Sequence, residues 1–286
     1  MRKIMKNRFK NMFLVGMILV SMLFVTTAGA ETVDNISDIG IKEEIAASKV
    51  PTTSDLAKAT EEAEKIREKL EEEMEKEIAA SIENAINDES ISVSRSSEYV
   101  ILGTDKTFYS ADDGDCGKLS WGIIPTDHGC AYSLSTKSSF AGSTVAPIGI
   151  GGASAWSWVG QSFYIPGSGS RSANIKMNGE YEGMTFAAAG GASESEITLV
   201  VKDTTTGTVY DTVVYSKSTG GAGYYPVDTS FNKGININLQ GGHEYLVYLV
   251  VETSVSTYGY GGAESDFGPY DGDGGVVKYS SIEIDF

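Results

Sequence analysis

Glu196-Ile-Thr-Leu-Val-Val-Lys202, Asp203-Thr-Thr-Thr-Gly207 and Thr208-Val-Tyr-Asp-Thr-Val-Val-Tyr215 follow one another without a break. The outer two stretches are rich in β-branched and aromatic residues, which suit a pleated, half-buried surface. The five residues between them are turn formers, with Gly207 placed for the left-handed conformation that closes a hairpin. Similar runs recur on both sides of this unit, at Tyr99–Leu102, Leu119–Ile124, Ala155–Ile165, Ala173–Met177, Ile235–Leu239, Glu244–Glu252 and Val276–Phe286. No helical period is visible after Ser97. About nine strands without helices predict a mainly β fold: a two-sheet antiparallel β-sandwich, jelly-roll or Ig-like. A stretch of about 190 residues is long enough to bury a good core.

Leu239-Gln-Gly-Gly-His-Glu-Tyr245 supports the same class. It resembles the tyrosine corner of Greek-key sandwiches. There a Tyr at the head of a strand turns its hydroxyl back onto the backbone of the preceding arch. The resemblance implies that Tyr245 is that Tyr and that Leu239 fills the core beneath. His243 then reads as a turn residue, since no Ser or Cys nucleophile motif accompanies it.

Toward the N-terminus the composition changes. Residues 31–97 hold no Tyr, Trp or Phe and one Gly, whereas residues 98–286 hold all 15 Tyr, all three Trp and 30 of the 33 Gly. This shift places a domain boundary near Ser94 to Glu98. Residues 31–97 read as a helical arm, a spacer or self-association element. Thr53 or Ser54 caps a helix that runs to about Asn87. Ala59, Ala63, Ile66, Leu70, Met74, Ile78, Ile82 and Ile86 form its apolar stripe. The step is nearly always four, so the stripe winds around the helix and does not make a regular coiled coil. Glu–Lys neighbours such as Glu61–Lys65 and Glu72–Lys76 support the solvent face.

Residues 1–30 are a third object. Arg2, Lys3, Lys6, Arg8 and Lys10 precede the apolar run Phe13–Val25, and Ala28-Gly29-Ala30 follows. A basic head, an apolar run of about 13 residues and a small-x-small site predict a secretory signal peptide. The run is short for a membrane span, and no later stretch is long enough, so no transmembrane anchor is expected in the mature chain. The expected location is secreted or cell-surface.

The whole chain carries a formal charge of −17, from 22 basic and 39 acidic residues. All five charges of residues 1–30 are positive, so the mature chain is more acidic still. This disfavours nucleic acid and anionic membrane surfaces as partners. With two His and two Cys in all, a multi-His metal centre and a Cys/His zinc cluster are excluded. In an exported chain Cys116 and Cys130 are expected to form one disulfide.

Two acidic clusters and one aromatic group are the candidate sites. Asp112, Asp113 and Asp115 alternate with Gly114, and Asp266, Asp271 and Asp273 lie with Glu264 among glycines. Carboxylates and carbonyls converging through glycine suit a hard cation, so Ca²⁺ is the expected cofactor. The ordinary alternative is a solvated acidic turn. Trp156 and Trp158 sit two apart in a strand pattern, so their rings share one face. Tyr258, Tyr260 and Tyr270 fall in a Gly-rich stretch read as a loop. Flat rings beside acids and amides hold sugars, whereas an inward-facing Trp pair would be core.

A glycoside-acting enzyme needs two carboxylates flanking a groove. Glu180, Glu182, Glu194 and Glu264 are candidates, and no spacing singles out a pair. No phosphate loop, nucleophile elbow or zinc-protease motif is present. The general look is similar to secreted accessory sandwiches, such as carbohydrate-binding modules and surface adhesins. The expected role is therefore non-catalytic cell-surface or extracellular binding, glycans first. A structural part of the envelope or matrix is the alternative, and a homo-oligomer formed through the arm is the expected self-contact.

Overall fold

The computed structural model describes residues 98–286, apart from 123, 189, 221 and 269–274, together with Lys76 and Ala80; the side chains of 148 and 258–260 are not described. Twelve strands succeed one another: β1 (Lys106–Phe108), β2 (Asp113–Gly122), β3 (Thr126–Ser133), β4 (Ser138–Val145), β5 (Ile148–Tyr164), β6 (Ser170–Ala187), β7 (Gly191–Asp203), β8 (Thr208–Gly220), β9 (Gly223–Gln240), β10 (Glu244–Tyr260), β11 (Ala263–Phe267) and β12 (Val276–Asp285).

Five of these strands form one sheet in the order β2-β5-β10-β7-β8. The other seven form a second sheet in the order β1-β12-β4-β11-β6-β9, with β3 on β4. Every ladder is antiparallel. The two sheets make the sandwich that the sequence pattern predicts. β11 and β12 lie end to end along β6, opposite Met184–Ala187 and Asn174–Glu182 respectively. The loop between them closes at its foot, where the Gly275 N–H donates to the Gly268 carbonyl at 3.0 Å.

Of the expected arm, Lys76 and Ala80 are described, both helical and exposed. The remainder of 31–97, and the expected signal peptide, lie outside the described residues. No helix among the described residues is long and apolar enough to cross a membrane.

The core has two unlike halves. At one end large side chains fill it: Phe108 stacks on Phe163 at 5.6 Å and Phe163 on Tyr245 at 5.5 Å, with Ile175, Met177, Leu239, Ile282 and Ile284 around them. Each such side chain contributes roughly 1.5–3 kcal/mol when fully buried. At the other end small and hydroxyl side chains fill it. Ala153, Ala187 and Ala263 pack with Val145 and Val255. Ser143 bonds Thr253 at 3.0 Å, Thr185 bonds Ser195 at 2.7 Å and Ser195 bonds Ser265 at 2.6 Å, each joining one sheet to the other. These pairs satisfy one another, which a buried hydroxyl requires. The strands of this half, such as β4 and the start of β5, are rich in Gly, Ala and Ser. Runs of β-branched and aromatic residues therefore do not mark β3, β4 and β11, nor the three-residue β1, among the twelve strands of the described residues, and the expected strand Tyr99–Leu102 is only the isolated bridge of Tyr99 to Tyr164.

The local expectations from the hairpin and corner stand. The Gly207 φ is 75°, and its N–H donates to the Asp203 carbonyl at 2.8 Å. The Gln240 N–H donates to the Tyr245 hydroxyl at 2.9 Å, which is the tyrosine-corner bond. Leu239 is fully buried beneath it. Asp203 joins the two features. Its Oδ1 accepts from the N–H groups of Thr205 and Thr206, and its Oδ2 lies 2.8 Å from His243 Nδ1. The Cys116–Cys130 disulfide links β2 of one sheet to β3 of the other, with Cα atoms 5.8 Å apart.

Candidate functional site

Alternation along β5 sorts its side chains between two faces. Ala155, Val159 and Phe163 join the core between the sheets. Trp156 and Trp158 point to the outer face of the five-stranded sheet, where they cluster with Val200, Leu246, Tyr248 and Val250. The two indoles do share a face, and both are buried, at 2% and 0% exposure. The Trp158 and Tyr248 rings lie 5.5 Å apart. Burial, reinforced by the fields of Glu252 and Asp211, pushes the Tyr248 phenol far above its ordinary value.

Glycines seat these rings. Gly117 pairs with Trp156, Trp121 with Gly152, and Tyr248 with Gly160. A Cβ on Gly117 would come within 2.5 Å of the Trp156 ring, and one on Gly152 within 2.6 Å of the Trp121 indole nitrogen. One on Gly160 would lie 2.7 Å from the Tyr248 Cβ. Each aromatic side chain therefore lies against its neighbouring strand where a glycine leaves the space. In the sequence these glycines look like turn punctuation, and this use is hidden.

Toward the small-residue end the outer face turns polar. Glu252 of β10 stands directly opposite Glu196 of β7, and Ser154 bonds Ser254 at 3.1 Å. Like charges placed directly opposite are unfavourable in a sheet. This carboxylate pair is a fact of register, invisible to spacing along one strand. The four glutamates named from sequence do not gather: Glu180 and Glu182 lie on β6, Glu194 on β7 and Glu264 on β11. Glu180 pairs instead with Lys278 at 2.7 Å.

Aromatic residues occur at this same end of the sandwich. Trp121 is half-buried on β2. Tyr258 and Tyr260 stand opposite Ile150 and Ile148, within β10 and not in a loop as the glycines had implied. Tyr224, 58% exposed, and Tyr225, 38% exposed, open β9. The Lys217 ammonium sits 3.5 Å from the centre of the Tyr225 ring, a cation–π contact. Sequence reasoning passed over Tyr224 and Tyr225, although an adjacent Tyr pair after Gly223 was a usable signal. Tyr270, Asp271 and Asp273 lie outside the described residues.

The remaining acids bind backbone. Both Asp112 carboxylate oxygens lie 3.0 Å from the Ser162 nitrogen, and Oδ2 accepts from Gln161 Nε2 at 2.9 Å. Asp113 accepts from the Gly114 N–H at 2.8 Å and Asp115 from the Cys116 N–H at 2.7 Å. Asp266 accepts from the Gly268 N–H at 2.8 Å, at the foot of the β11–β12 loop. Among the described residues, no three His, Cys, Asp or Glu side chains converge as a metal site would need.

No protein-family model matches the chain, and no curated protein matches it. Among solved structures, it is similar to the CBM22-1 and GH10 modules of Clostridium thermocellum endo-1,4-beta-D-xylanase 10B, solved with xylohexaose. That match has 12% identity and a TM-score of 0.19, over 64% of this chain and 28% of the xylanase chain. The CBM22-1 xylan-binding domain of Paenibacillus barcinonensis Xyn10C matches at 12% identity and a TM-score of 0.21, over 57% of this chain and 86% of that one. A tailspike protein of bacteriophage CBA120 matches at 11% identity and a TM-score of 0.18, over 59% of this chain and 19% of that one. At TM-scores this low the likenesses carry no argument about fold or function.

Proposed function

We propose that this chain is an exported, non-catalytic β-sandwich that binds a surface or extracellular glycan at its aromatic end. The observation that supports this most is the exposed Tyr224 beside Tyr225, at the start of β9 on the edge of the seven-stranded sheet, with half-buried Trp121 at the same end of the sandwich on β2. Rings held by a rigid sheet stack on sugar faces at little entropic cost. Export is supported by the signal-peptide pattern and by the disulfide, which persists in an oxidising compartment.

The test is a glycan array with the mature chain, followed by titration with the variants Trp121→Ala, Tyr224→Ala and Tyr225→Ala. Each lost stacking ring should weaken binding about tenfold, the effect of about 1.4 kcal/mol. An array without signal, or binding indifferent to all three substitutions, overturns the proposal. One observation favours a structural role in the envelope or matrix as a second reading: the outer face of the five-stranded sheet carries an apolar cluster from Trp156 to Leu246, as an interaction module does. Ordered assembly without glycan binding would select it.

A further inference from the structure

The outer face of the five-stranded sheet presents a contradiction. Leu246, Tyr248, Val250, Trp156 and Trp158 on this face are each 5% exposed or less. Every described strand belongs to one of the two sheets, and the seven-stranded sheet packs on the opposite face. So no strand among the described residues covers these side chains. The Trp156 indole N–H is buried and has no hydrogen-bond acceptor among the described residues. A buried donor of this kind points to an acceptor supplied by whatever lies over it.

We propose that the N-terminal segment of residues 54–87 docks on this face as an amphipathic helix, running in the same direction as β5. Three features of the chain select this occupant. The first is where the segment re-enters the fold. The Tyr164 N–H, at the end of β5, donates to the Glu98 carbonyl at 3.0 Å, and the Val100 N–H donates to the Tyr164 carbonyl at 3.0 Å. A helix ending near Asn87 then needs only the residues 88–97 to reach that point, and its far end lies over the start of β5.

The second feature is a match of two gradients. On the sheet, the face is acidic at Glu196 and Glu252 and apolar from Trp156 to Leu246. On the arm, Lys65, Arg67 and Lys69 flank Ile66 and Leu70, with Glu64, Glu68 and Glu72 about 200° away on the far face and Glu62 and Glu73 beside the stripe, whereas Met74, Ile78, Ile82 and Ile86 are the large apolar residues. Helix and β5 running in the same direction put cations over carboxylates and aliphatic over aromatic side chains. The spans agree. Glu252 to Leu246 is about 20 Å of extended strand, and Arg67 to Ile82 is about 22 Å of helix.

The third feature is the stripe's step of four. A stripe that winds around the helix is poorly matched to a straight partner helix. It suits a twisted sheet, whose surface also turns along the helix. The exposure of Lys76 and Ala80 fits as well, since both lie about 200° from Ile78 and Ile82 respectively, on the far side of the helix. This inference stands on the sheet and the arm, and not on the glycan reading at the aromatic end.

The experiment uses the whole mature chain at low concentration. Carbodiimide coupling, which joins amines to carboxylates in direct contact, is followed by digestion and mass spectrometry. Links from Lys65 or Lys69 to Glu196 or Glu252 in the monomer band are expected. In parallel, Ile78→Asp/Ile82→Asp should raise acrylamide quenching of tryptophan several-fold and move its emission to the red. The tyrosine-corner and disulfide regions should keep their hydrogen-exchange protection in that variant. Links confined to a dimer band would make a second copy the occupant and overturn the proposal. So would the absence of links to this face, or tryptophan quenching unmoved in a variant that stays folded.

Discussion

Replacing Tyr245 by Phe removes one oxygen from a residue that is 1% exposed. The ring remains, still stacked on Phe163 at 5.5 Å, so apolar burial is unchanged. What is lost is the acceptor for the Gln240 N–H, at 2.9 Å. Stranding a donor in a partly buried arch costs about 1–3 kcal/mol. Taking about 2 kcal/mol, and about 2–4 °C of Tm for each kcal/mol in a domain of this size, the melting temperature should fall by about 4–8 °C. Tyr99→Phe is the matched control, because Tyr99 is 52% exposed. Its effect should stay within about 0.5 kcal/mol. Urea unfolding of both variants checks the magnitude, with the midpoint falling for Tyr245→Phe at an unchanged m value. If the two variants lose equally little, the corner bond is a contact without energetic weight, and the account of how β9 turns into β10 fails.

Opening the Cys116–Cys130 loop with a Ser/Ser pair frees β2 from β3 and should cost about 3 kcal/mol by the unfolded-chain model; equal melting curves with and without reductant would contradict this. Tyr245, Tyr248 and Tyr279 have phenols held above their ordinary value, first by burial in each case. The unfolded chain therefore loses these protons first, so their contribution to stability is complete below about pH 10 and declines as pH rises above it. Phenolate absorbance at 295 nm should show these three titrating together with unfolding; independent, reversible titration in the folded protein would refute it. A calcium ion among Asp266, Asp271 and Asp273 would raise the melting temperature on titration and chelator would reverse the rise; superimposable curves remove the metal from the reading.

Several parts of the fold were legible because their chemistry is local. Gly207 and Tyr245 act within a few residues of themselves, and Cys116 had one possible partner. The Trp156–Trp158 pair was half legible. Spacing says that the rings share a face, but whether that face is open depends on what lies over it. The Glu196–Glu252 pair and the Gly–aromatic seats were not legible at all. They arise between strands far apart in sequence, and register is set by the whole sheet. Tyr224 and Tyr225 were missed for a different reason. Tyr258 and Tyr260 look more like loop residues than Tyr224 and Tyr225 do, because their glycine neighbours read as a loop and belong to a strand.

The glycine content carries a physical argument of its own. Glycine within a strand is unfavourable in isolation, because it restricts a freer chain and packs no side chain. Here several strand glycines lie against an aromatic residue: Gly117, Gly152 and Gly160 on the outer face, and Gly179 and Gly183 against Phe231 and Phe267. In each case the ring can cover backbone that a Cβ would hold away, so the cost at glycine is offset by closer ring contact with the neighbouring strand. Trp156 and Trp121 occupy their seats with broad flat surfaces. A sheet whose outer face is finished in this way is level enough to receive a helix, and its aromatic end is level enough to receive a sugar ring. Both proposals thus draw on one device, in which glycine and aromatic residues are placed on adjacent strands by register.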